Sequence, residues 1–175
     1  HIRNAAYKLA DYADQFVFSK YTDAGETIDA YKSGFTSTNV LNLLAKADAA
    51  MRRANVPESE TKYLEISPEV YVKFVLAKIL EDTDNSKTVE TGRVGKLWGL
   101  DIYVSNNIHS DNDGVHYCLV RTKRAIAYAE QLNQSEVIRH PKRFGDIHRG
   151  LMLCGAKVVV PKELICIPVK PSNEA

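Results

Sequence analysis

What the sequence lacks narrows its function first. No apolar run in the chain approaches the roughly 20 residues of a membrane span, and no stretch has the charged, apolar and small-residue order of a signal peptide. Cysteine is scarce, with Cys118, Cys154 and Cys166 odd in number and widely spaced. That spacing suits neither a disulfide framework nor a zinc site, and it points to buried free thiols in a reducing compartment. Charge of one sign is lacking too: 23 Lys and Arg against 22 Asp and Glu leave a formal net charge of +1. With no basic block, the chain is neither a dedicated nucleic-acid binder nor a polybasic membrane anchor. Internal repeats and low-complexity tracts are also absent. What remains is 175 residues at 45% apolar content, enough for one sizeable core or two small lobes sharing contacts.

The most suggestive stretch is "TGRVGKLWGLDIYVSNN", Thr91 to Asn107. A phosphate-binding loop needs glycine, four residues, glycine, lysine and then a hydroxyl residue. Here Leu97 follows Gly95-Lys96, and Glu90 occupies the position of the first glycine. The order is also reversed, because such loops follow a strand and open a helix. Leu100, Ile102 and Val104 alternate with Asp101, Tyr103 and Ser105, the pattern of a half-buried strand. Gly92, Gly95 and Gly99 are therefore expected to serve a β-turn or bulge, through positive φ or close backbone approach.

Helical periodicity is strongest in the first half. Ala6, Leu9, Ala10, Ala13, Phe16 and Val17 predict a buried helix face between about Arg3 and Lys20. The chain opens at His1, without methionine and inside this pattern, as expected for a piece of a longer protein. After glycines at 25 and 34, "TSTN" offers N-caps for a helix with Val40, Leu43, Leu44, Ala47, Met51 and Ala54 on one face, ending before Pro57. "KYLEI" predicts a short strand. "SPEVYVKFVLAKIL" has Ser67 at N-cap, Pro68 at N1 and Glu69 in the first turn, with Tyr71, Phe74, Val75 and Ile79 expected inward. "EDTDNSKT" is a polar loop, "HSDNDG" a turn and "VHYCLVR" a strand. "TKRAIAYAEQL" predicts a short helix with Ala125, Ile126, Ala129 and Leu132 inward. The remainder is β-rich, so the class is α+β.

Candidate chemistry thins out on inspection. His109, Asp111, Asp113 and His116 lie close together in "HSDNDGVH". A calcium loop fails at both ends, where His109 and Val120 replace the required carboxylates. A transition-metal site competes with a solvated hairpin tip, and the density of turn-formers favours the tip. His140, His148 and Cys154 carry no signature of a Cys–His nucleophile, and "LMLCGAKVVV" suggests an inert buried thiol. Trp98 reads as core packing first and an inter-subunit anchor second. No catalytic, cofactor-binding or metal-ligating residue is assigned, and no cofactor is implied.

Three segments in order carry a resemblance. They are "NVPESETKYLEISPEVYVKFV" (Asn55 to Val75), "GRVGKLWGLDIYVSNNI" (Gly92 to Ile108) and "AIAYAEQLNQSEVIRHPKRFGDIHRGLMLCGAKVVVPKELICI" (Ala125 to Ile167). Together they resemble the major capsid (coat) protein of tailed bacteriophages and prophages, with the Hong Kong 97-type fold. The family's closing "G…YGAKVVRPE.L" pair is matched by Gly150, Gly155, Ala156, Lys157, Val158, Val159, Pro161, Glu163 and Leu164. Cys154 stands where the family often has an aromatic, and Val160 where it often has a basic residue.

The resemblance implies a truncated α+β capsid fold, comprising an axial domain and part of a peripheral domain. It divides the chain into a helical segment at 1–56 that includes part of a spine helix, an axial-type α+β domain at 57–135 and a closing β-rich segment at 136–175. The family's N-terminal arm and extended β-hairpin loop are expected to have no counterpart here. The implied function is structural, without enzyme activity: self-assembly into an icosahedral shell enclosing viral DNA without sequence-specific binding. Implied partners are other copies of the chain, with scaffold and portal proteins; the implied location is the virion, or the bacterial host cytoplasm during assembly, with no membrane. The fragment alone is expected to be monomeric or weakly associated. Two other readings stay open: a subunit of a protein-shell nanocompartment with the same fold, and an α+β cytosolic enzyme or ligand-binding domain whose site is assembled from distant residues.

Overall fold

A computed structural model describes residues 2–77 and 93–172. Helix α1 spans Ile2–Phe18 and runs into a 3-10 turn at Ser19–Asp23. Short strands β1 (Glu26–Thr27) and β2 (Tyr31–Phe35) precede α2 (Val40–Arg53), then β3 (Lys62–Ile66) and α3 (Pro68–Leu76). Next come β4 (Arg93–Leu97), β5 (Leu100–Val104) and β6 (His116–Thr122). A long pair, β7 (Ile126–Arg139) and β8 (Asp146–Val158), leads to β9 (Leu164–Pro171). The polar stretch at 81–88, Ile79 and Gly92 lie outside the described residues.

The main sheet is seven-stranded, in the order β1-β9-β6-β3-β5-β4, with β2 also paired to β9. It draws strands from all three of the segments 1–56, 57–135 and 136–175. Its two faces follow from side-chain alternation along each strand. In β6, Cys118 and Val120 face one core with Ile165, Ile167 and Val169 of β9, while Leu119 faces the other with Leu164 and Cys166. The first core is capped by α2, whose Val40, Leu43, Leu44, Ala47 and Met51 are fully buried as the periodicity requires. Each of these side chains larger than Ala47 contributes on the order of 1.5–3 kcal/mol. The second core is smaller and is closed by Val17, Phe18 and Tyr21, from the end of α1 and its 3-10 turn.

Start chemistry behaves as expected at α3, where Ser67 Oγ accepts a hydrogen bond from Val70 N at 3.4 Å. The inward stripe differs, however. Val70 and Phe74 are buried, whereas Val75 is exposed, because so short a helix lays only one narrow row on the sheet. At α2 a 3-10 turn over Ser37–Asn39 replaces a side-chain cap, and Asn39 donates back to Thr36 Oγ1 instead.

The glycine stretch from Arg93 to Val104 is a hairpin. Leu97 pairs with Leu100, and the two residues between them, Trp98 and Gly99, both have positive φ (50° and 79°). That is the signature of a type I′ turn, whose backbone matches the strand twist. Gly95 sits beside a register shift between Arg93 and Gly95, the bulge foreseen for it. Lys96 lies within β4, opposite Asp101 of β5, where the backbone forms no phosphate cradle. Trp98 is half exposed at the turn, not in the core.

The helix expected in "TKRAIAYAEQL" does not form. Residues 126–139 are strand β7, paired antiparallel with β8 from Ile126↔Val158 to Arg139↔Asp146. Ala, Glu, Gln and Leu favour a helix locally, but propensity is a weak prior. A helix here would leave the backbone groups of β8 without their ladder partners. Ala125 and Ile126 are buried at the ribbon's base as expected, whereas Ala129 is exposed. The chain thus carries a long exposed ribbon, a feature the sequence reading assigned to no part of it.

Two tight features predict stability effects. Gly25 N donates to Pro161 O at 2.9 Å, and a Cβ on Gly25 would stand 2.4 Å from that oxygen. Gly25→Ala should cost about 1–3 kcal/mol by overpacking, and Gly99→Ala about 1 kcal/mol through its positive φ. Trp98→Asn should leave the melting temperature unchanged or raise it, since Asn tolerates the left-handed region. Denaturant melts of the three variants check this ordering.

A pH effect follows from Glu163. Its carboxylate accepts from Arg124 Nη2 at 2.6 Å and from Thr122 Oγ1 at 2.5 Å. The Arg124 bonds are the first cause holding its pKa below the ordinary value of 4.5; burial opposes them, and Thr122 adds to them. A depressed pKa stabilises the fold above the unfolded value, and that stabilisation is lost as pH falls through the lower folded value. Wild type should therefore lose melting temperature as pH falls below about 4.5, and Glu163→Gln should lower it at neutral pH while flattening that acid loss.

Candidate assembly surfaces

The residues singled out for chemistry do not converge. In "HSDNDGVH", Asp111 Oδ1 accepts from Asp113 N at 3.3 Å, and Gly114 N donates to Asp111 O at 3.0 Å. Those bonds make a compact turn closed by Gly114 at φ 76°. His109 instead stacks on Tyr21, with ring centroids 5.0 Å apart, and His116 faces Glu69 at 3.8 Å. Among the described residues no group of three or more His, Cys, Asp or Glu side chains could hold a metal.

The Cys–His idea also dissolves on geometry. Cys154 lies in β8 opposite Glu130, while His140 Nδ1 accepts from Lys142 N at the ribbon's far end. Cys154 is half-buried, not buried as expected. Cys118 and Cys166 are buried, and burial pushes both thiols up to about 12, which keeps them protonated and unreactive.

One polar constellation escaped the sequence reading. Glu65 of β3 is buried, and Arg121 of β6 meets its carboxylate with Nε at 3.0 Å and Nη2 at 2.6 Å. The two are diagonal neighbours, since Tyr63 pairs with Arg121 and Glu65 with Leu119. The available signal was a glutamate inside an apolar strand, which requires a cationic partner on an adjacent strand. This pair lines a cleft of about 520 Å³ between α1 and the ribbon's base, with Asp14, Phe18, Ile126 and Glu130. Arg121 Nε and Nη2 are committed to Glu65, so this pair ties β3 to β6.

The distinctive chemistry is instead on the surface. The apolar stripe of α1 was expected to be buried; among its described side chains Ala13 is buried and Phe16 and Val17 are half-buried, while Leu9 and Ala10 are exposed, as are the neighbouring Tyr7 and Tyr12. Among the described residues the helix is buried or half-buried at Ala13 and from Phe16 to Phe18, while Tyr7 to Tyr12 stay exposed. The ribbon exposes Val137, Leu151 and Leu153, with Phe144 99% exposed at its turn. One β8 face, including Met152, Ala156 and Val158, is half-buried, and the alternate face is open. Large apolar residues concentrated on projecting elements are the mark of a surface that associates.

No family model matches the chain, and no curated protein sequence matches it. Solved structures do. One from Mycobacterium phage Che8 is 24% identical with a TM-score of 0.77, covering 95% of this chain and 61% of that one. The capsid structure of cyanophage P-SCSP1u is 21% identical with a TM-score of 0.65, covering 98% of this chain and 63% of that one. The holo-SrpI encapsulin complex from Synechococcus elongatus PCC 7942 is 11% identical with a TM-score of 0.66, covering 99% and 67%. The chain therefore spans less than two thirds of the length of the two phage proteins. Its mixed helix and sheet architecture is that of viral and encapsulin shells, and the fold is the phage major-capsid type that its sequence resembles.

Proposed function

We propose that the chain is part of a major capsid subunit of a tailed phage or prophage, which self-assembles into an icosahedral shell enclosing viral DNA. The observation that carries this is the pairing of a shell-type fold with apolar surface left open on α1 and the ribbon. In this reading the seven-stranded sheet with α2 and α3 forms the axial-type body. Helix α1 and the β7–β8 ribbon form the peripheral-type part that meets neighbours. DNA is enclosed through shape and not read, in keeping with the balanced charge of the chain. Scaffold and portal proteins are the further partners, the virion is the site of action, and no reaction is catalysed.

A nanocompartment subunit is the second reading, favoured by the encapsulin similarity at a TM-score of 0.66. Higher identity to the phage structures, 24% and 21% against 11%, supports the viral one.

Light scattering of the 175-residue chain at moderate concentration is expected to show a monomer or weak association. Negative-stain microscopy of the full-length gene product is expected to show closed icosahedral particles. Shells loaded with a cargo protein would favour the nanocompartment, and a product that stays monomeric at every concentration would remove both shell readings.

A further inference from the structure

Charge is balanced over the whole chain but segregated on the ribbon. Its turn carries Arg139, Lys142 and Arg143, around the fully exposed ring of Phe144, against the single carboxylate of Asp146 opposite Arg139. Lys142 and Arg143 are exposed and Arg139 is half-buried. The Arg139 guanidinium lies 5.4 Å from that ring's centroid, so the turn presents a compact cationic and aromatic head.

The ribbon's base has the opposite character. The cleft under α1 combines apolar walls from Ala10, Val17, Phe18 and Ile126 with the carboxylates of Asp14 and Glu130. Arg121, which also lines it, is neutralised by Glu65 at 2.6 Å. Neither Asp14 nor Glu130 forms an ion pair among the described residues. Burial, followed by the neighbouring Asp11, raises the Asp14 carboxyl above its ordinary range, while a hydrogen bond with Asn107 partly offsets them. A cation docked beside Asp14 would relieve that cost.

Head and cleft cannot meet within one molecule. Arg139 stands about 30 Å beyond Glu130 along the paired strand, at about 3.3 Å per residue. We infer that the head of the β7–β8 ribbon, Lys142 to Phe144, docks into the cleft between α1 and the ribbon base of a second copy. Phe144 would fill the apolar part while Lys142 and Arg143 face Asp14 and Glu130. The contact is heterologous, joining different surfaces of two copies, so it closes into rings or propagates. It deepens the shell-subunit reading and rests on it only in requiring that copies associate.

The test uses two charge-reversed chains in sedimentation equilibrium at low ionic strength: Lys142→Glu with Arg143→Glu, and Asp14→Lys with Glu130→Lys. Circular dichroism melts confirm that each folds; if the cleft variant does not, the head variant alone still decides. Wild-type association should weaken with added salt, and each variant alone should associate at least about tenfold more weakly. An equimolar mixture should regain association to within about threefold of wild type, because the acidic head fits the basic cleft and the basic head the acidic one. Wild-type association that neither variant disturbs would overturn the head–cleft contact and leave the shell reading standing. A wild-type chain that stays monomeric even at high concentration and low ionic strength, beyond the moderate concentration of the light-scattering test, would overturn the contact too, with the shell reading then judged by microscopy of the full-length product. If cleft reversal destabilises the full-length protein while head reversal does nothing, the occupant is another segment of the same polypeptide, and the inference fails.

Discussion

The fold depends on β9. Leu164 to Val169 are almost wholly buried, and the strand pairs with β6 on one side and with β1 and β2 on the other. It links the sequence-distant ends of the chain in one sheet. Because β6 and β9 are adjacent antiparallel partners, everything between them must leave the sheet and return to the same place. The return is pinned by Val159 N and Val160 N, which both donate to Ala125 O, at 2.9 and 3.3 Å. Residues 126–158 leave the sheet at this seam and satisfy their backbone by pairing with each other. The projecting ribbon is thus a consequence of closing the sheet. Among the described residues the end of α1 packs at its base, and its outer apolar residues stay exposed.

Polar pairs reinforce the same junctions. Glu65–Arg121 joins β3 to β6, and Glu163 joins the β6 end to the entrance of β9 through Thr122 and Arg124. Lys62, at the start of β3, reaches Asp48 of α2 at 3.1 Å. Removing one partner of the most buried pair would strand a charge in a low dielectric, which costs more than the intact pair contributes.

Legibility in the sequence followed the reach of the interactions. Elements fixed by local chemistry were readable: α2 from its six-residue apolar row, α3 from the Ser67-Pro68 start, and the hairpin around Trp98-Gly99 from its glycines and alternation. The ribbon was not, since residues 126–132 have helix-favouring composition and only the distant partner strand overrides it. The stripe of α1 was read correctly as amphipathic, but what covers it is not a local property. Glu65–Arg121 was hidden for the same reason, because the pairing of β3 with β6 spans a large sequence separation. The surfaces proposed for assembly are those where a local apolar pattern stays exposed among the described residues.

That last point is the central claim, and hydrogen–deuterium exchange tests it most directly. Exchange would be compared between the free chain and the assembled particles of the full-length product. Protection gained on assembly should concentrate in α1 around Tyr7 to Tyr12 and in the ribbon from Val137 to Leu153, while β9 and α2 stay equally slow in both. If α1 and the ribbon exchange as fast in the particle as in the free chain, with new protection elsewhere, the account of these surfaces is wrong.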